Sequence, residues 1–358
     1  MIFVGDFDEG VVDAWHEQAG SYRATVAFKQ QWRCYDSSVE QIDLAANADD
    51  FDREIAQTPD IDRFCSSSAW ILAAQSALMP PRAPFAFRGT HGYFAAARGV
   101  HPAGFPYIEP VELAWGLASP LAGADSEALA QEVVALLSAR RDWQLAILAG
   151  MTGDGPQRRA LERAMPARWE RRRGTPTLRH VASLEGGVDG FLSRRSRELR
   201  KSIRKSLRAA SDAGVTFESV RSAPSQAAAL YDRIQAVEQH SWKSHESVGI
   251  SQGPMRAFYG AMLPRLCELG QQRTMFARFE GRDVGYILGA VAGDEYRGLQ
   301  FSYDDELSRF GLGGLLQYHQ IVALAEEGIG RYDLGTEMDY KRRWAEEIME
   351  TEMLVLVR

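Results

Sequence analysis

The stretch that follows Tyr303 combines a glycine-rich turn with a nearby cation. Glycines occupy positions 311, 313 and 314, and an apolar helical pattern begins at the same place. Such a turn exposes free backbone N–H groups at a helix N-terminus, where the helix dipole also favours an anion. We therefore predict a phosphate-binding site formed by Tyr303, Arg309, Gly311, Gly313 and Gly314. The alternative interpretation is an entry loop that the helix needs for flexibility.

Polar and aromatic side chains are crowded into a second segment, directly after a short strand-like run at 331–334. A sheet commonly displays its functional side chains on the loop that follows a strand. The alternative is a solvated loop whose aromatic residues cover the core. The candidates for catalysis are Tyr340 and Lys341, and the candidates for substrate binding are Asp304, Glu337 and Asp339.

A third group of candidates lies at the end of a predicted helix over 223–242. Glu238 and His240 carry side chains that can receive a proton, so both are candidate catalytic bases. Trp242 and Lys243 follow directly and are predicted to contact the substrate. A histidine at a helix end also serves as a cap or as an ordinary surface residue, and that alternative stays open.

The bulk composition limits the class of protein. The chain has 358 residues, a formal net charge of −7, 45% hydrophobic residues and three cysteines without CxxC spacing. An acidic chain of this kind is not a general DNA binder, and its cysteines suggest neither a structural zinc nor disulfides. The sequence has no apolar run of 18 residues and no basic leader at its start, so we predict a cytoplasmic protein without a membrane span or a bound metal.

Hydrophobic periodicity predicts an α/β protein with two tandem domains of related design. Residues 1–60 are interpreted as an N-terminal extension of a first domain over 61–170, and a polar segment at 168–176 leads into a second domain over 177–358. The predicted helices lie at 64–79, 125–141, 156–168, 191–213, 223–242, 254–269 and 313–327. The predicted strands lie at 85–89, 92–99, 143–149, 177–184, 215–220, 274–279, 284–292, 298–303, 331–334 and 352–357.

The helix predicted over 191–213 is strongly basic. Residues 191–210 contain eight lysines and arginines against the single acid Glu198. Leu192, Leu199, Ile203 and Leu207 form the apolar stripe, which places the cations of 194–208 on another face. A cationic face on an acidic protein suits a polyanionic partner, although a plain solvated face is the alternative. Acyl carrier protein, a tRNA acceptor stem and the 3′-phosphate of CoA are the candidate partners.

In order and spacing, these segments resemble those of tandem GNAT acyltransferases, the group that includes CelD-like proteins and Fem-type peptidoglycan aminoacyltransferases. The resemblance covers about 180 residues of the second half and is weaker in the first, where 64–70 and 115–123 carry it. The residues that carry it in the second half are the basic segment 191–208, Glu238 with Ser241, Trp242 and Lys243, Tyr303 with its glycine turn, Asp333 to Gly335, and Tyr340 to Trp344.

The resemblance implies two GNAT-like domains, each a mixed and mostly antiparallel sheet flanked by helices. It implies an N-acyltransferase that moves an acyl group from acyl-CoA or an acyl-carrier (acyl-ACP) phosphopantetheine thioester to an amine of a peptide, an amino sugar or a small molecule. Lys341 corresponds to a lysine that stabilises developing negative charge, and Tyr340 would orient the carbonyl with it.

One position departs from the family pattern. Ser308 stands where the GNAT phosphate loop usually begins with glutamine or arginine. Arg309 is the nearest replacement, and the departure leaves the donor open among CoA, a carrier protein and aminoacyl-tRNA. Two other functions therefore stay in view: an aminoacyl-tRNA-dependent Fem-type peptide ligase, and a GNAT-fold binding module without catalysis.

Overall fold

The computed structural model describes residues 39–78, 82–241, 243 and 249–358. The predicted N-terminal extension lies largely outside these residues, and so does the candidate substrate contact Trp242. The strands are β1 (Glu40–Gln41), β2 (Ala83–Arg88), β3 (Tyr93–Val100), β4 (Pro106–Pro110), β5 (Leu121–Ala122), β6 (Leu145–Met151), β7 (Glu170–Arg173), β8 (Thr177–Ser183), β9 (Thr216–Val220), β10 (Gln272–Phe279), β11 (Arg282–Ala292), β12 (Glu295–Tyr303), β13 (Arg331–Thr336) and β14 (Glu347–Val357).

The α-helices of the described residues alternate with these strands, and short 3₁₀ turns join several of them. The helices are α1 (Ala48–Gln57), α2 (Ser68–Ala77), α3 (Ser126–Ala139), α4 (Pro156–Ala164), α5 (Gly187–Ser193), α6 (Arg197–Asp212), α7 (Ala227–Glu238), α8 (Gly253–Glu268) and α9 (Leu312–Glu326).

The strands join into one continuous mixed sheet with the order β1-β2-β3-β4-β6-β14-β8-β13-β12-β11-β10-β9. Only the β4–β6 and β12–β13 pairs are parallel, and the other pairs are antiparallel. The predicted mixed and mostly antiparallel α/β fold is therefore confirmed. The last strand, β14, joins the halves, because residues 347–351 pair with β8 and residues 352–357 pair with β6 and β7.

The basic segment differs from its prediction as one helix. It forms two helices, α5 and α6, because Ser196 is extended and its side chain accepts the N–H of Leu199 as the N-cap of α6. Arg194 and Arg195 therefore precede α6, and both pair with Glu346 near the start of β14. Arg194 does not belong to the cationic face of α6, contrary to the predicted grouping.

Two other segments have more structure than their composition indicated. The acidic stretch around residues 49–52 forms α1, whose apolar Phe51 and Ile55 are buried one turn apart. The polar segment at 168–176 contains β7, a strand of exposed charged residues that pairs with β14. The domain boundary placed in this segment stays a prediction.

A buried cluster of charges lies where the two halves meet. Asp62, from the first half, lies 3.1 Å from Arg179 of β8 and 3.0 Å from Arg297 of β12. Both arginines also pair with Asp333 of β13. The sulfur of Cys65 accepts a hydrogen bond from Arg297 at 3.3 Å. Two cations and two anions thus neutralise one another, as buried charges must.

Candidate functional site

The separation of two parallel strands creates a cavity. β12 and β13 pair only from Glu295 to Arg297, opposite residues 331–333. A bulge at Leu299 follows in β12, where the pairing with β11 skips one residue. Beyond this point β12 and β13 no longer pair, and the cavity between them has a volume of about 770 Å³.

Both halves of the molecule line this cavity. The first half contributes Trp70, Trp115 and Leu117. The second contributes side chains of β11 and β12, the start of α9, and the segment after β13. The residues of the second half are Lys243, Tyr259, Ile287, 297–303, Gly313, Gly314, Gln317, Tyr332, 334–341, Arg343 and Trp344.

Lys341 is the buried cation of the segment after β13. Its side chain is 6% exposed, and Nζ donates to the carbonyl oxygen of Thr336 at 2.6 Å. Burial, together with the nearby guanidinium of Arg297, lowers the pKa of Lys341 to about 7, although Asp333 opposes this effect. Lys341 can therefore exchange a proton near neutral pH at the wall of the cavity.

The turn that holds Lys341 is tied to the buried charge cluster. The Oδ1 atom of Asp333 accepts the N–H of Gly335 at 2.7 Å, while its Oδ2 atom pairs with the two arginines. Gly335 has a φ of 83°, and a side chain on it would approach the Nζ of Lys341 to 3.5 Å. A glycine is needed here because the backbone is left-handed and close to the lysine.

Lys243 reaches the cavity from the other side of β12. Its Nζ donates to Gln300 Oε1 and to the carbonyl oxygen of Phe301, both at 2.6 Å. Burial lowers the pKa of Lys243, and Glu238, 3.9 Å away, opposes that shift. This lysine is thus fixed to the backbone of β12 just beyond the bulge.

The structure separates the two candidate bases from the cavity. Glu238 is fully buried and accepts from the hydroxyl of Tyr286 at 2.7 Å and from the N–H of Ile250 at 3.1 Å. His240 is exposed, and its Nδ1 lies 3.0 Å from the carbonyl oxygen of Ala236. Glu238 contacts the site only through Lys243, and His240 borders a separate surface depression.

Asp304 belongs to the same depression as His240. Its carboxylate accepts the N–H of Glu306 at 3.1 Å and pairs with Arg282 at 2.7 Å. Arg309 is exposed, stacks over the ring of Phe310 at 4.6 Å, and donates to the carbonyl oxygen of Glu306. Neither side chain lines the cavity, so the structure does not place them with the other candidates.

The glycine turn divides into two parts. Gly313 and Gly314, in the first turn of α9, line the cavity next to Tyr303. Gly311 has a φ of 68° and faces α6, where a side chain would lie 2.5 Å from Ser206 Oγ. No side chain caps α9, so its first N–H groups stay available at the cavity wall.

The structure also brings the remaining candidates to the cavity. Tyr340 is about one third exposed, and its ring lies 5.7 Å from that of Phe301. The Glu337 carboxylate accepts from Arg342 at 2.6 Å, and Asp339 is exposed at the rim. Eight candidates therefore share one cavity: Lys243, Tyr303, Gly313, Gly314, Glu337, Asp339, Tyr340 and Lys341.

Sequence reasoning gave no residue of the first half a role in the site, and it missed the charge cluster. Trp70 and Asp333 appeared only within segments that carry the family resemblance, and Arg297 received no role. Asp333 carried a signal, because an acid inside an apolar strand requires a buried partner. The positions of Asp62 and Trp70 beside β12 depend on tertiary packing and had no local signal.

The cationic face of α6 is free of ion pairs among the described residues, and it borders the glycine turn through Ser206. Leu199 and Ile203 are buried on the opposite face, as the periodicity predicted. The exposed cations are Arg197, Lys201, Arg204, Lys205 and Arg208.

Two absences apply to the described part of the chain. None of its helices combines the length and the apolar character that a membrane crossing requires. Within the same residues, no group of three or more histidine, cysteine, aspartate or glutamate side chains could hold a metal ion.

Comparisons with known proteins identify a domain family and solved structures of similar fold. Residues 197–342 match the family model of the acetyltransferase (GNAT) domain. No curated protein matches the sequence. The crystal structure of FemX has the same fold, with a TM-score of 0.61 and 12% identity over 88% of this chain and 96% of that one.

Two further solved structures share the fold. L-PGS from Bacillus licheniformis aligns with a TM-score of 0.54 and 11% identity, over 87% of this chain and 91% of that one. The C-terminal domain of a putative lysylphosphatidylglycerol synthetase from Agrobacterium fabrum aligns with a TM-score of 0.53 and 15% identity over the same shares. Residues 197–342 therefore contain a GNAT domain, and the two-half fold of the chain is similar to that of FemX.

Proposed function

We propose that this protein is an N-acyltransferase that moves an acyl group from a thioester carrier to an amine in the cavity between β12 and β13. The observation that carries the proposal is Lys341, whose Nζ is buried at the cavity wall beside the Gly335 turn. A cation held in a site with little water stabilises a developing oxyanion more strongly than the same cation in water.

In the proposed reaction, the neutral amine of the acceptor attacks the carbonyl carbon of the thioester. A C–N bond forms, and the carbonyl oxygen becomes an oxyanion beside the protonated Lys341. The C–S bond then breaks as the oxyanion collapses, and the thiolate leaves on the carrier and takes up a proton. The attacking nitrogen releases its proton to water, because neither Glu238 nor His240 lines the cavity.

The binding positions of the donor phosphate and of the acceptor amine are assigned from charge. The uncapped N-terminus of α9, with Gly313 and Gly314, suits a phosphate of the carrier. Glu337 and Asp339 supply the only carboxylates among the described residues that line the cavity, and they suit the incoming ammonium form of the acceptor.

The test is intact mass spectrometry of candidate amines incubated with the protein and one donor class at a time: acyl-CoA, acyl-carrier protein or aminoacyl-tRNA. We expect a mass gain on the amine that depends on a single donor class. Lys341→Met should lower kcat by roughly 10²–10³-fold, the usual cost of removing one oxyanion contact. Arg141→Met, an exposed cation of the first half, is the matched control and should leave kcat unchanged.

A second donor, aminoacyl-tRNA, is favoured by the unpaired cations of α6 and by the FemX-like fold. In that case activity disappears after RNase treatment, and replacing Lys201, Arg204 and Arg208 by glutamine weakens donor binding. Thioester transfer that resists RNase would exclude this donor.

A binding module without catalysis is the remaining alternative. If Lys341→Ala keeps ligand binding and loses acyl transfer, the module interpretation fails. If no donor class supports any transfer by the unmodified protein, the proposed function fails instead.

A further inference from the structure

We propose that the acyl group of the donor is bulky and apolar, and that a wall supplied by the first half of the molecule holds it. The wall consists of Trp70, Trp115 and Leu117, which line the same cavity as Lys341. This inference rests on the proposed function and specifies its substrate class. A medium-length fatty acyl chain and the side chain of an aromatic aminoacyl group are both bulky and apolar.

The wall is aromatic and closely packed. The ring centroids of Trp70 and Trp115 lie 5.2 Å apart, and Trp70 packs edge-on against Phe258 of α8 at 4.9 Å. Trp70 is 5% exposed, whereas Trp115 is only partly buried. Two indole rings at a cavity wall offer a large apolar contact area to a ligand.

The position of Trp115 is fixed from both halves of the molecule. The buried carboxylate of Glu112 accepts the N–H of Trp115 at 2.6 Å and that of Leu117 at 3.4 Å. The hydroxyl of Thr177, at the start of β8, donates to the carbonyl oxygen of Trp115 at 2.9 Å. These three hydrogen bonds fix the backbone of the loop, so the ring of Trp115 is a fixed part of the cavity wall.

The second half adds apolar residues to the same cavity. Tyr259, Ile287 and Leu299 line it, and the hydroxyl of Tyr259 donates to the carbonyl oxygen of Leu299 at 3.4 Å. The polar group of Tyr259 is thereby engaged with the bulge in β12. An acetyl group would fill only a small part of a 770 Å³ cavity, which is within the range that holds drug-sized ligands.

Charge decides between the acyl group and the acceptor as the occupant of this wall. The carboxylates that line the cavity, Glu337 and Asp339, lie in the segment after β13, among other polar groups. Glu112 beneath this wall does not line the cavity and is engaged by the N–H groups of Trp115 and Leu117, so no carboxylate of the described wall faces an acceptor ammonium. An uncharged acyl chain loses nothing by contacting indole rings, and it gains from leaving water.

The experiment compares the acetyl, octanoyl and phenylalanyl thioesters of N-acetylcysteamine, which need no particular carrier. Binding is measured by calorimetry and transfer by mass spectrometry. Each buried methylene strengthens binding about fourfold, so burial of three gives the octanoyl thioester an advantage on the order of 50-fold over acetyl. The phenylalanyl arm shows whether an aromatic aminoacyl group is preferred to an alkyl chain.

Trp115→Leu should remove most of the preference for the bulky acyl group over acetyl. Trp70→Phe is the second, milder variant, in case the partly buried site tolerates Trp115→Leu poorly. Ile348→Ala, an exposed apolar side chain of β14 outside the cavity, is the control and should change neither affinity. Thermal unfolding of every variant confirms that it is folded.

The outcomes separate this inference from the proposed function. Transfer with equal affinity for acetyl and bulky donors overturns the inference and leaves the function standing. A preference that survives Trp115→Leu and Trp70→Phe, or that follows the apolarity of the acceptor, also overturns it. If acyl-CoA, acyl-carrier protein and aminoacyl-tRNA all fail to support transfer, the proposed function itself is overturned.

Discussion

Each half of the molecule contains two parallel strands joined by a helix, but the two helices begin differently. In the first half, α3 between β4 and β6 is capped by Asp125, whose carboxylate accepts the N–H groups of Glu127 and Ala128, both at 3.1 Å. In the second half, α9 between β12 and β13 follows Gly311 and has no side-chain cap. The first helix satisfies its N-terminus with its own anion, whereas no described side chain caps the second, where we propose that the donor phosphate binds.

The space beside the two parallel strands also differs between the halves. In the first half, β4 and β6 pair at only two positions, but Ile108 of β4, Ala146 of β6 and Leu129 of α3 are fully buried in one apolar cluster. In the second half, the strands separate after Arg297 and enclose the cavity. The two halves share an architecture, but this cavity opens between the strands of the second half. The first half contributes an aromatic wall and the buried carboxylate of Asp62.

The largest expected effect comes from breaking the charge cluster between the halves. Burial alone would raise the pKa of Asp62, but Arg297 and Arg179 hold it below the usual value, so the carboxylate is charged. Asp62→Ala leaves two buried guanidinium groups with one partner, which costs about 3–5 kcal/mol. Chemical denaturation should show this loss in the free energy of unfolding.

The matched control for Asp62 is Asp60→Ala, two residues earlier on an exposed turn. Its φ of 53° is left-handed, so a small loss of stability is expected there as well. Equal losses for the two variants would contradict a specific role for Asp62 in joining the halves.

The next effect follows from giving α9 the anion that α3 already has. Gly314→Asp places a carboxylate in the first turn of α9, where a new Cβ has Trp344 as its nearest neighbour at 3.8 Å. The charge should stabilise the helix and repel the donor phosphate, so KM for the donor should rise by roughly 10–100-fold without a fall in Tm.

Gly314→Ala controls for the size of the new side chain and should leave KM within about twofold of its original value. If Gly314→Asp binds donor normally, the N-terminus of α9 does not hold the phosphate. The comparison between the two helices would then be one of capping alone.

The pH dependence of the reaction tests the protonated form of Lys341. Its pKa of about 7 means that the ammonium is present below pH 7 and is lost as the pH rises through that value. With hydroxylamine as acceptor, whose nitrogen is almost entirely neutral above pH 7, kcat should fall toward a slope of about tenfold per pH unit above that value. Stopped assays across pH 6–9 measure this slope.

Lys341→Arg supplies the control for the pH profile, because a guanidinium stays charged throughout the range. Its activity should be lower overall but flat above pH 7. A rising limb for the unmodified protein would indicate that neutral Lys341 acts as a base, contrary to the proposed oxyanion role.

Much of the second half could be predicted from the sequence because its signals are local. The glycines at 311, 313 and 314 mark the start of α9 in the place expected, and Gly270 ends α8 with a φ of 66°. The polar segment after β13 was predicted as a site, and Lys341 lies in the cavity. Turns and strand ends are encoded by a few neighbouring residues, so their positions are readable.

The errors arose where partners are distant in the chain. Glu238 looked like a base because it is charged and follows a helix, but Tyr286, which is 48 residues away, binds it inside the core. The strand β7 consists of four exposed charged residues, and only its pairing with β14 makes it a strand. No pattern within either segment contains this information, because it is a property of the assembled sheet.

The smallest expected effect concerns the capped helix α3 of the first half. Asp125→Ala removes the N-cap of α3 and should lower the free energy of unfolding by about 1 kcal/mol. Neither Asp125 nor α3 lines the cavity, so kcat and KM should stay unchanged, as steady-state kinetics beside a denaturation curve will measure. Asp125→Asn is the control, because asparagine also caps helices and should keep most of the stability. If Asp125→Ala altered donor binding instead, the N-terminus of α3 would hold part of the donor, and the assignment of one capped and one ligand-binding helix N-terminus would have to be abandoned.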